Sequence, residues 1–235
     1  MSIEDNENFY ILEEDKEQSQ EEKTPRNFAA YPDEETADED EDEEESEEET
    51  NPEVSAIGLM FRIMFAPVEG WKKLRRNKVT LESIQAGCFY PLLALLAVSK
   101  FADYFYSVNV SLSQIITQGV VAFVSFFFGF YCIDIILQWL LPKDMVEKYS
   151  SAFGKNYIVI SLSTIALFAI LKDLLPMLWP ILFFLPIWTM YLMFKGVRFF
   201  KFKDYQEVKF YVYAVAGVIG IPLLIDWVLN SVMPY

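Results

Sequence analysis

Residues 112–141 read LSQIITQGVVAFVSFFFGFYCIDIILQWLL, thirty positions with one charged side chain, Asp134. A lipid-crossing helix needs about 20 mainly apolar residues, and this run exceeds that with no charge in its first two thirds. A strand of such length would leave its backbone polar groups unsatisfied in lipid, whereas a helix pairs them within itself. The stretch therefore predicts a membrane-spanning helix.

Working outward, four further runs have the same character. Spans are expected at about 84–107, 157–175, 177–194 and 209–231, making five with 112–141. Internal prolines do not exclude spanning, because neighbouring helices satisfy the freed backbone groups. Upstream lies FAPVEGWKKLRRNK (65–78), a proline, a tryptophan and five cations in fourteen positions. Before it, Ile57, Met60, Phe61, Met64 and Phe65 fall at helical spacing, ended by Pro67. The expectation is an interfacial amphipathic helix over 54–66, too short to span, with Trp71, Lys72, Lys73, Arg75, Arg76 and Lys78 as its anchor at the membrane surface. The competing reading is an amphipathic helix packed on protein.

The charge is divided unevenly along the chain. Residues 1–53 carry 24 acidic against three basic residues, a net of −21, while 54–235 carry 16 basic against ten acidic, a net of +6. Such an acidic segment cannot bury enough apolar surface to offset chain entropy, so a disordered cytoplasmic tail is expected over 1–53 and a membrane domain over 54–231. The opening MSIEDNENFY has neither a basic nor an apolar leader pattern, and no cleavable signal peptide is expected. With the N-terminus inside, the collar and the segments 142–156 and 195–209 hold thirteen Lys and Arg, against Lys100 and Lys172 on the opposite side. The positive-inside rule then places the N-terminus in the cytoplasm and the C-terminus outside.

Polar groups inside the spans are the candidate functional residues. Asp134 lies in the inner half of its span, with Gln138 one turn on along the same face. Lys100, Asp103, Lys172, Asp173 and Asp226 lie towards the outer side, where they suggest an interhelical ion-pair cluster. Either they form a path for protons, ions or solutes, or they are satisfied structurally by snorkelling and hydrogen bonds. Catalytic patterns are lacking: the chain has no histidine, so no Ser-His pair or HExxH site, and no glycine-rich phosphate loop. Cys88 and Cys132 are not spaced as a metal or redox pair. No enzyme, cofactor or metal is expected.

The ordered set of an acidic N-terminus, the entry Pro67…Trp71, five spans, and a fourth span leaving through TMYLMFKGVRFF (189–200) with Tyr191 and Gly196 resembles the Yip domain family of Ypt/Rab-interacting multispanning proteins. The chain lacks the DLYGP-like cytoplasmic motif of the eukaryotic members and is more similar to the bacterial branch. The resemblance implies an all-α, non-enzymatic membrane protein in the cytoplasmic membrane. The expected function is a scaffold or adaptor whose partners are the bilayer, proteins recruited by the acidic tail and basic loops, and a second copy of itself, but not nucleic acid. The alternative is a small oligomeric transporter or channel using Asp134 and Asp226.

Overall fold

In lipid the backbone must satisfy its own polar groups, and among the described residues every regular element is helical. The computed structural model describes residues 55–106, 111–178, 180 and 184–233. The expected disordered tail, 1–53, lies outside them.

Among the described residues, four helices are long and apolar enough to cross a membrane: α3, Leu81–Ala102; α4, Leu112–Leu140; α6, Ala152–Leu174; and α8, Asp204–Val232. Hydroxyls start three of them. Thr80, Ser111 and Ser151 accept from the backbone N–H of Ser83, Gln114 and Gly154, satisfying donors that have no partner inside the helix. These caps explain why α3 and α6 begin before the expected positions, 84 and 157: each hydroxyl starts the helix ahead of its apolar run. The short helices are α1, Ala56–Phe65; α2, Pro67–Arg76; α5, Lys143–Tyr149; and α7, Leu185–Val197.

The expected fourth span, 177–194, differs from the rest. Residues 179 and 181–183 are outside the described set, and the remainder forms a 3-10 turn at Pro176–Leu178 and the thirteen-residue α7. Thirteen residues rise about 20 Å, short of a hydrocarbon core of about 30 Å. Pro176, Pro180 and Pro186 each remove a backbone donor, which opposes one continuous helix here. Among the described residues there are thus four long apolar helices where five spans were expected.

The core is organised around α6, the most deeply buried span, which touches α3, α4, α5, α7 and α8. Its buried Ser161, Ser163 and Thr164 donate to carbonyls one turn back at 2.8, 2.8 and 2.9 Å, so they need no partner from another helix. In α3 the turn Gln85–Phe89 widens to a π-helix just ahead of Pro91, where a regular turn would press the ring against a carbonyl. The α1 helix docks against this turn, Ala56 lying over Gly87.

The expected apolar stripe of α1 is divided between two faces. Met60 and Met64 are buried in the protein core together with Leu59 and Ile63, whereas Ile57, Phe61 and Phe65 are exposed, Phe65 by 80%. The physical reason is that α1 is apolar around more of its circumference than one stripe. One face therefore packs on protein, and the other is left exposed. The α1 and α2 helices form a tight hairpin through Ala66, with Pro67 as the first residue of α2, where its missing N–H is harmless. At Gly70 a β-carbon would lie 2.6 Å from the Ile63 Cα, so this crossing requires glycine.

The bundle has two ends. At one, the collar (65–78), α5, the start of α6 and the segment 197–204 meet; at the other lie residues 99–106, 173–178 and the end of α8. Exposed rings mark both: Trp139 and Tyr205 near the collar end, Phe105, Phe184 and Trp227 near the far end. Amphipathic aromatic residues favour the two membrane–water interfaces.

Candidate functional site

Three polar constructions stand out: the collar, a carboxylate node at the collar end, and a charged cavity at the far end.

The collar is built on Trp71, which is 1% exposed and donates its indole N–H to the Leu192 carbonyl at 3.0 Å. This corrects the expectation of Trp71 as a membrane-surface anchor: α2 packs on α7 and turns the indole inward. Gly196 makes the approach possible, because a β-carbon there would lie 2.7 Å from the Tyr157 ring and 2.8 Å from the Trp71 ring. Tyr157 also donates to α7, at the Met193 carbonyl, 2.9 Å. Trp71, Phe153, Tyr157, Phe200 and Phe210 form a continuous set of tilted and edge-on rings with neighbouring centroids 4.8–6.2 Å apart. Tyr191, by contrast, stays exposed beneath Lys195.

The cations of this end have two uses. Arg75 donates to the Phe199 carbonyl at 2.7 Å and Lys148 to the Lys201 carbonyl, where α7 ends and its dipole is negative. Lys201 itself is left-handed, φ 52°, closing that end. Lys72, Arg76 and Lys78 remain exposed, with Lys73 half-buried. Lys148, Lys195, Arg198 and Lys209 each lie 5.3–5.7 Å from the centre of an aromatic ring.

Asp134 accepts from Tyr149 Oη at 2.9 Å and from Gln138 Nε2 at 2.9 Å, with Lys155 Nζ 3.9 Å away. One carboxylate thereby ties α4 to α5 and to the first turn of α6. Burial, then the negative Asp134, then the bond to it push the Tyr149 phenol far above its ordinary value, so it remains a donor. Tyr149 and Lys155 were not singled out in the sequence. Lys155 lies one turn into α6 and Tyr149 ends α5, and neither position announces an interhelical partner.

At the far end Lys100 pairs with Asp173 at 2.8 Å, and Ser99 donates to the same carboxylate oxygen at 3.0 Å. Lys172, one position from Asp173 and therefore about 100° around the helix, points outward and is exposed. The expected five-residue cluster is thus smaller: α3 and α6 share one ion pair, and the Asp103 side chain lies outside the described residues. Asp226 accepts from Asn230 Nδ2 at 3.1 Å and shares with Lys100 the wall of a cavity of about 260 Å³ between α3, α4, α6, α8 and Pro186 of α7. Among the described residues, no group of His, Cys, Asp or Glu is placed to hold a metal ion.

Helical throughout its described elements and carrying four long apolar helices, the chain has the length and composition of a multi-pass integral membrane protein. Comparison with protein families, curated proteins and solved structures finds no match to it.

Proposed function

We propose that the protein is a non-enzymatic, five-span membrane adaptor of the Yip-like kind, with its collar end facing the cytoplasm and its C-terminus outside. In this reading 177–194 completes the fifth crossing, in a bacterial cytoplasmic membrane. The observation that carries it is the gathering of cations at one end of the bundle, from the collar, α5, the start of α6 and the segment 195–209. Several lie over aromatic rings or on helix-end carbonyls, and Lys72, Arg76 and Lys78 remain open to a partner. The inner loops supply that cationic surface, and the acidic tail supplies a second, oppositely charged one. The close packing of Trp71 against Gly196 supports the resemblance, since two of the four residues that carry it build one contact.

The interior carboxylates support structure over conduction. Asp134 is held by donors from α4 and α5, and Asp173 by Lys100 and Ser99. The residues around the cavity include Asp226 but not Asp134 or its partners.

Affinity purification in mild detergent tests the adaptor. Full-length protein should recover partners that are lost from a chain starting at Val54, or after charge reversal in 142–156 and 195–209. Unchanged recovery from all three would sink the proposal. A proteoliposome flux abolished by Asp134→Asn with Asp226→Asn would replace it with transport.

A further inference from the structure

The far-end cavity has a direction. Along α8 its wall runs from Val218 to Asp226, eight residues or about 12 Å of rise. Ala122, Phe126 and Val218 make the deep part apolar, and Lys100 and Asp226 make the rim charged. At that rim the charges do not balance. Lys100 is already paired with Asp173, while among the described residues the Asp226 carboxylate takes one hydrogen bond, from Asn230 in its own helix, and no ion pair. A carboxylate without a cation, half-buried beside Trp227 where apolar walls limit its hydration, attracts one.

We propose that this cavity binds an amphiphile with an apolar chain and a primary ammonium head. The chain fills the space lined by Ala122, Phe126 and Val218, and the ammonium donates to Asp226 beside the neutral Lys100–Asp173 pair. The head must carry N–H groups: a quaternary ammonium brings the charge but no donor, and an anionic head meets the carboxylate unfavourably. Two sources share this chemistry, an aminophospholipid of the bilayer and a single-chain amine. Neither depends on the adaptor reading, since partner recovery and ligand retention are lost by different substitutions.

The test uses the full chain in nanodiscs of equal phosphatidylethanolamine, phosphatidylcholine and phosphatidylglycerol, with retained lipid read by native mass spectrometry. A second arm offers dodecylamine. The expected result is preferential retention of phosphatidylethanolamine, or of dodecylammonium if the source is single-chain. Asp226→Asn should lower retention about tenfold, the scale of one lost hydrogen bond to a charged group. Leu223→Trp should do the same by blocking the wall from an exposed position that tolerates bulk. Lys172→Gln, outside the cavity, should change nothing. Equal retention of all headgroups with no amine binding overturns the proposal. So does wild-type retention by a Leu223→Trp protein that melts at the wild-type temperature.

Discussion

At the scale of single residues, Gly196 and Trp71 act as a pair. Gly196→Ala places a methyl against two buried rings that have nowhere to move, and the overpacking cost of about 1–3 kcal/mol opposes the helix propensity gained, about 1 kcal/mol. We expect a net loss of stability, seen as a lower melting temperature in mild detergent. Trp71→Phe loses the bond to Leu192 and should destabilise by about 1–2 kcal/mol in the same assay. Tyr149 gives a pH-dependent test. Its phenol is raised in the folded protein, so its stabilising contribution is complete below about pH 10 and is lost as pH rises beyond that. Wild type should therefore melt above Tyr149→Phe at neutral pH, and the gap should narrow above about pH 10. The sequence marked Trp71 and Asp134 as special through composition and depth. It did not reveal that the indole points inward or that Tyr149 is the donor, because helix rotation and docking are settled by contacts more than a turn away.

At the scale of elements, the α1–α2 hairpin depends on one close crossing. Gly70→Ala sets a β-carbon against the Ile63 backbone, which cannot step aside as a side chain can. The expected outcome is an opened hairpin, read as faster proteolysis after the collar cations and a red-shifted tryptophan emission. The long helices were legible because uninterrupted apolar length has no other solution in lipid, and the capping hydroxyls Thr80, Ser111 and Ser151 stand visibly at their starts. The 177–194 segment was not, since an apolar count does not register what several prolines do to helix continuity. The α1 helix was half legible: its period was plain, but a helix apolar on two faces does not say which one meets protein.

At the scale of the whole molecule, the cations divide the two ends unequally, and the positive-inside rule turns that inequality into a testable orientation. A reporter fused after Tyr235 should behave as external and one at the N-terminus as cytoplasmic; a cytoplasmic C-terminal reporter would reduce the crossings to an even number. The ring-lined exposed surface also predicts a depth pattern. A spin label at Phe65 should report the interfacial region, and one at Val120, an exposed position within α4, the hydrocarbon core.

The bond from Trp71 to Leu192 joins residues 121 positions apart. At roughly 5–20 residues per second of synthesis, the indole is made some 6–24 s before its acceptor. During that interval Trp71 and the lysines beside it have no α7 to pack on, and the membrane surface is their available environment. The expectation is two successive addresses for the Trp71 indole, the headgroup region while the chain is being made and the aromatic core once it is finished, with Lys72, Arg76 and Lys78 left outside. A nascent chain halted before α7 should leave its collar tryptophan at the interface, and resumed synthesis should withdraw it.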